Sequence, residues 1–506
     1  MIRACPLIVF ACLALRPGVS ELAAQEAPAT LIRHAVLLDG RGGPARQADI
    51  RIVGDRIAEV GRLARRPTDR VVDADGLALA PGFIDTHSHH DDGLFEDLNA
   101  LAAVSQGITT IVVGQDGESH FPLAQFFAQL DSTPAAINVA SYVGHGTVRS
   151  EVMGEDFKRV ATGSELERMR TLVLAEMQTG ALGLSSGLEY DPGIYSDPHE
   201  VLELAKVAAA AGGRYISHMR SEDRRFWQAL DELLNIGRVT GIPVHISHAK
   251  LAMRSLWGLG DSLITVLDRA RASGIRVTAD VYPYTFWQAT LEVLYPERDF
   301  TNRATTDFIL KEVAAPGDLL MARFDPDSSY VGKTVAQIAV ARGTDPATTL
   351  MALINEAQGD SVYESVIATG MVEDDVARIM RWPFANICSD GELAGRHPRG
   401  FGAFPRVLAH FVRTQHVTSL EEAIRKMTSL AAANVGIAGR GTIARGAFAD
   451  LVLFDPQVVE DRATPIAPHA QSVGIHTVWV NGQVVFDGGV ATGQHPGRVL
   501  RRVTQR

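Results

Sequence analysis

The chain has 506 residues, of which 46% are hydrophobic and 21% charged, and its formal net charge is -11. That balance belongs to a soluble globular protein long enough for one large domain and a smaller one. The acidic excess excludes a general nucleic-acid binder, which needs a basic face, and leaves room only for a local basic pocket.

Residues 1–24 have the pattern of a secretory signal peptide. Arg3 gives a positive start, an apolar run covers 6–15, and Ala23 and Ala24 offer a small-residue cleavage site. The run is too short to cross a bilayer as a helix. The mature chain is therefore expected to lack an integral membrane segment and to be exported, periplasmic or secreted. Cys12 follows Val9-Phe10-Ala11 in the outline of a lipoprotein cleavage box, but the short run and Phe10 favour simple export. Only Cys388 then remains, which excludes an internal disulfide and makes an inert buried thiol the default.

Residues 25–80 read as short strands. Segments 49–53 and 56–60 alternate in period two around Gly54-Asp55, a hairpin signal. Residues 436–506 read the same way, with strands at 450–454, 477–480 and 484–486 and a turn at Asn481-Gly482. The two ends together are expected to form a small β-sandwich-like domain. Between them, 81–435 alternates strands and helices, which predicts a parallel sheet. Eight strand candidates end near His89, Gly114, Gly146, Gly187, His218, His248, Tyr284 and Asp390, the count of a (β/α)8 TIM barrel. Helical stretches include 165–178 and 200–211. A long interruption at about 290–382, with helices near 334–342 and 348–356, reads as an insertion before the last strand.

The chemistry-bearing residues stand at strand ends. Pro81-Gly82-Phe83-Ile84-Asp85 runs into His87-Ser88-His89-His90. Residues i and i+2 of a strand share a face, so His87 and His89 can share a metal while His90 points away. His218 and His248 end two consecutive strands, and His245, three residues before His248, is expected to face elsewhere. Histidines at matching positions of a βα series suit zinc. Asp390 ends the last strand candidate, where a carboxylate can take a proton from attacking water.

In this combination the chain resembles the amidohydrolase superfamily and, within it, the N-acyl-D-amino-acid deacylase (D-aminoacylase) branch. Supporting strings are Gly183-Leu184-Ser185-Ser186-Gly187-Leu188-Glu189-Tyr190, His218-Met219-Arg220-Ser221-Glu222, Ile246-Ser247-His248-Ala249-Lys250, Asp280-Val281-Tyr282-Pro283-Tyr284, His397-Pro398-Arg399 and Phe404-Pro405-Arg406. The branch typically ends its second strand with Gly-Asn-Cys-Gly, the cysteine being a zinc ligand. Here the string is Gly114-Gln115-Asp116-Gly117, so a harder oxygen ligand replaces thiolate. No lysine ends the fourth strand; Asp116 and Glu189 are the carboxylates available there.

The resemblance implies one or two divalent ions, zinc first among them, held by Asp116, His218 and His248, with His87 and His89 for a second. Asp390 would be the general base of amide hydrolysis. The expected partner is a small molecule with a free carboxylate, met by Lys250, Tyr282, Arg399 and Tyr190. Hydrolysis of an L-D dipeptide or a cyclic amide is the alternative. A secreted metal-binding protein without turnover is a third reading, against which Asp390 argues.

Overall fold

The computed structural model describes Met1 and residues 29–359 and 362–502. Apart from Met1 the signal-peptide segment, with Cys5 and Cys12, lies outside the described residues. Eight parallel strands form the barrel: β1 (Phe83–Asp85), β2 (Ile108–Val113), β3 (Asn138–Ser141), β4 (Gly183–Gly187), β5 (Arg214–His218), β6 (Val244–Ile246), β7 (Val277–Val281) and β8 (Ala385–Ile387). Parallel ladders join β1 to β2 to β3, and β4 through β8 in order. Val143–Gly144 carries the third strand across to β4. The ring closes where the Asp390 amide donates to the His87 carbonyl at 2.9 Å and Gly391–Glu392 pairs with Ser88–His89.

The strands are buried on both faces, so they read as apolar runs rather than alternations; β2, Ile-Thr-Thr-Ile-Val-Val, is buried throughout. Helices follow with local signals intact. Thr162 and Glu165 form a capping box at the start of Gly163–Thr179, and Gly180 ends it at φ 116°. Expected strand ends at Gly146 and Tyr284 move earlier, because His145 opens the helix His145–Met153 and the seventh strand stops at Val281.

Strands from both chain ends join one nine-stranded sheet. The predicted hairpin is present as Arg46–Val53 against Arg56–Gly61. Strand Ala78–Pro81 pairs with Leu451–Phe454, which pairs with Ile475–Val480, so the two ends meet at the centre. The far strand then bonds to the segment before Leu451, Ile57 N–H to Ala447 O at 2.9 Å, and the sheet closes around Ile50, Ile52, Ile57, Leu451 and Trp479. The final residues leave this domain: Gly497 donates to Ala135 O and Leu500 to Val139 O, so 497–502 lie along the barrel instead of in the β-domain.

The insertion is a separate layer with its own core. Strands Phe286–Ala289, Leu319–Phe324 and Glu364–Thr369 form an antiparallel sheet around Leu291, Leu294, Met321, Leu350 and Val366. Its span is 286–369, earlier than the expected 290–382 at both ends. Helix Glu373–Arg381 belongs to the barrel, because Val376, Ile379 and Met380 pack into the barrel core. Among the described residues no helix is long and apolar enough to cross a membrane.

A buried polar knot ties the small domain to the barrel. Arg440 ion-pairs with Asp450, both nearly inaccessible, and donates to Asn481 Oδ1 at 2.9 Å. Asn481 donates in turn to Asn138 Oδ1, at the start of β3, at 2.8 Å. Removing one member of such a pair strands a buried charge. Asp450→Ala is expected to lower unfolding stability by about 3–5 kcal/mol, measured by urea denaturation, with the metal content of the folded fraction unchanged.

Candidate metal centre

The barrel's carboxyl-terminal mouth gathers the strand-end residues. The backbone turns sharply to deliver three of the groups. Asp116, His248 and Asp390 all have positive φ, at 52°, 34° and 52°. Non-glycine residues adopt that region at a cost, borne here where side chains must be aimed. Glycines make the turn of Asp116 possible. Gly117 has φ 82°, and a Cβ on Gly187 would lie 1.9 Å from the Asp116 carbonyl oxygen.

Two groups of ligand atoms share Asp116, beside a third made by Glu189, His218 and Glu222. In one, His87 Nε2 and His89 Nε2 lie 3.2 and 3.3 Å from Asp116 Oδ2, and 3.5 and 3.4 Å from Asp390 Oδ1. In the other, His248 Nε2 lies 3.4 Å from Asp116 Oδ1 and 3.2 Å from His218 Nδ1. These separations match the edge of a tetrahedron, about 3.3 Å for zinc bonds of 2.0–2.1 Å. Asp116 Oδ1 and His87 Nδ1 are buried without a hydrogen-bond partner. The donor set, imidazole nitrogen and carboxylate oxygen, fits a divalent cation.

Charge points the same way. Burial alone would discharge His248, and Lys250 opposes its protonation too, yet Glu222, Asp116 and Asp390 raise its pKa to about 10. Burial likewise pushes Asp116 and Asp390 up. The His87 and His248 rings outweigh it at Asp116, and Arg399 with the same rings does so at Asp390, leaving both well below the usual carboxylate range. A cluster that holds protons on imidazoles to balance its carboxylates is one a metal cation can take over.

Carboxylates behind the rings orient them. His218 Nε2 faces Glu189 Oε2 at 3.0 Å, and His248 Nδ1 faces Glu222 Oε1 at 3.1 Å, which turns the opposite nitrogens toward the site. Asp280 accepts from the His248 amide, from Thr86 Oγ1 at 3.0 Å and faces His245 Nε2 at 3.0 Å. His245 thus braces the site from behind, as its spacing from His248 predicts. His90 turns away to the Gly400 carbonyl. Asp85 accepts from Ser389 N at 2.8 Å and fixes the chain just before Asp390. Cys388 is fully buried.

The mouth opens into a cavity of about 580 Å³ lined by His89, Asp116, Tyr190, His218, His248, Lys250, Asp390 and Arg399 among others. His87 lies beneath it, fully buried. Three of the four expected substrate residues need amendment. Lys250 Nζ is engaged by Glu222 Oε2 at 2.6 Å and by His248 Nδ1, and Arg399 by Asp390 Oδ2 at 2.6 Å, so neither is a free clamp. Tyr282 is buried behind them, its ring 5.9 Å from Lys250 Nζ and 5.1 Å from Arg399 Cζ, and its hydroxyl has no partner. Tyr190 lines the cavity with its ring 4.6 Å from that of His218. The braces Glu222, Asp280 and Asp85 were not among the expected site residues. Asp280 had a signal: a carboxylate inside an apolar strand needs a partner.

The Gly187 contact yields a test. Gly187→Ala must push the Asp116 backbone away from both groups. It is expected to keep the far-ultraviolet circular dichroism while weakening metal affinity by roughly 10- to 100-fold, the range for disturbed ligand supports, as measured by competition with a chelating dye.

The profile of the amidohydrolase family matches residues 70–316 and 302–486. D-aminoacylase of Alcaligenes xylosoxydans xylosoxydans is 36% identical, over 93% of this chain and 97% of that protein. A solved D-aminoacylase structure with a binuclear metal centre superposes with a TM-score of 0.84 at 34% identity, covering 94% of this chain and 99% of that one. N-acyl-D-glutamate deacylase of Bordetella bronchiseptica, in complex with zinc and a phosphonate inhibitor, gives 0.85 at 35%, covering 94% and 100%. On the strength of the shared barrel, the profile match and these identities, the chain belongs to the amidohydrolase family.

Proposed function

We propose that the protein hydrolyses the amide bond of N-acyl-D-amino acids or closely related compounds. The observation that carries this reading is the Asp390 carboxylate, which joins His87, His89 and Asp116 at the floor of a cavity sized for a small molecule and is paired with Arg399. The kinship with D-aminoacylase and with the D-glutamate enzyme supports the D-configured N-acyl substrate.

Polarisation of the scissile carbonyl is the chemistry a bound divalent ion supplies at this mouth. Zinc suits the nitrogen and oxygen donors. Asp390 takes a proton from the attacking water and delivers it to the leaving amine. Its pairing with Arg399 keeps the carboxylate ionised and pointed at the ligand groups. The guanidinium has five N–H donors, and Asp390 occupies only part of them, so the remainder is available to the substrate carboxylate. Lys250 and the unpartnered Tyr282 hydroxyl stand beside it. For residues 1–24 we propose an export signal that delivers the enzyme to the periplasm or the medium; amino-terminal sequencing of the native protein should begin near Gln25, and an intact Met1 would refute export.

Two tests address the site. Because Asp116 is common to both groups, Asp116→Ala is expected to lower zinc content at both, whereas His218→Ala depletes one. Elemental analysis showing unchanged zinc in Asp116→Ala would remove the shared-ligand assignment. Asp390→Asn is expected to retain most of the metal and to lower kcat by a factor on the order of 10² to 10⁴, read by release of free D-amino acid. A near-normal kcat at saturating substrate would exclude Asp390 as the base.

A further inference from the structure

The cavity has two unlike sides. The insertion supplies one of them, chiefly the apolar Trp287, Ala289, Val293, Leu294 and Val313 with the uncharged Gln288 and Thr290 between them, and Ala252 of the barrel continues it. Among the described residues no charged residue of the insertion lines the cavity. This wall stands over the ends of β6 and β7, where Lys250 and Tyr282 are, and hence beside the half of the substrate that carries the free carboxylate. A D-amino acid bound by that carboxylate would present its side chain to the insertion.

Among the described residues the cavity is lined by no spare lysine or arginine to receive a second carboxylate. Lys250 and Arg399 are the lysine and arginine that line it, and each already faces a carboxylate at 2.6 Å. Two arginines lie near the same wall but do not line it. Arg224 donates to the Leu294 carbonyl and stacks over Phe308 at 4.8 Å. Arg298 is bound to Asp191 and to the carbonyls of Glu189, Glu292 and Tyr295. Outside the ligand groups, the acidic side chains that line it are Asp91, Asp92, Glu118, Asp223 and Glu392, and the His120 ring there faces Asp91 at 3.3 Å.

From this wall we infer that the enzyme selects N-acyl-D-amino acids with apolar side chains and rejects those with acidic ones, and that Val293 is a specificity-determining residue. The inference rests on the deacylase reading above and goes beyond kinship. D-aminoacylase and the N-acyl-D-glutamate and N-acyl-D-aspartate deacylases are 36%, 37% and 37% identical to this chain, so identity does not choose among them. A side-chain carboxylate against this wall would be desolvated without a partner, whereas leucine, methionine or phenylalanine side chains would bury apolar surface there.

The test is kcat/KM for the zinc-loaded full-length enzyme on N-acetyl-D-leucine, N-acetyl-D-phenylalanine, N-acetyl-D-glutamate and N-acetyl-D-aspartate. The apolar pair should lead the acidic pair by a factor on the order of 10² or more, the penalty for an unpaired buried charge. Val293→Arg places a cation on a half-buried position of the wall. It should lower activity on the leucine substrate and raise it on the glutamate substrate at least about tenfold, as expected when a missing partner is supplied. Val293→Ala, milder for folding, should weaken the leucine substrate chiefly through KM. Acidic substrates equal to or better than apolar ones would overturn this inference alone. Failure to hydrolyse any of the four would overturn the deacylase reading with it.

Discussion

Three imidazole nitrogens crowd around a single carboxylate, Asp116, at separations of 3.2 to 3.4 Å, and His218 adds a fourth within 3.2 Å of His248. Lone pairs brought that close repel unless positive charge lies among them, supplied by protons or by a metal. Most other features of the mouth serve this arrangement. The carboxylates of Glu189 and Glu222 stand behind the His218 and His248 rings and face their outer nitrogens, while Asp280 accepts from the His248 backbone amide. Positive φ at Asp116, His248 and Asp390 is accepted because the surrounding hydrogen bonds leave the backbone no alternative.

Asp116 changes the character of the centre. A carboxylate has two oxygens, and here Oδ2 serves His87 and His89 while Oδ1 faces His248. A thiolate at the same place would offer a single, softer atom. The oxygen pair joins the two ligand groups and shifts preference toward harder cations. The glycine pair Gly117 and Gly187 lets the loop approach β4 closely enough for this.

The layers of the molecule divide the work. The barrel and its β-domain are locked together by the Arg440–Asp450–Asn481 knot, which holds β1 and β3 in place beneath the ligands. The insertion has an independent core and, among the described residues, adds no metal-ligand candidate. Its contribution is a wall over the cavity, so substrate choice can vary with its sequence while the chemistry beneath stays fixed.

The amino-acid sequence by itself determined what local pattern determines. Alternation located the hairpin at Gly54-Asp55, apolar runs located the barrel strands, and histidines at strand ends located His87, His89, His218 and His248, because strand geometry dictates which residues reach a common face. Together with the resemblance they raise, these residues also named Asp116 and Asp390. The tertiary structure alone decided how those groups combine. That Asp116 is shared, that Lys250 and Arg399 are already paired, and that Glu222 braces His248 are facts about distances between residues far apart in the chain. No spacing rule encodes them. The insertion's limits were misplaced for a related reason: helix Glu373–Arg381 has the same amphipathic pattern whether it packs on the barrel or on the insertion, and only the neighbouring surface it finally covers distinguishes the two.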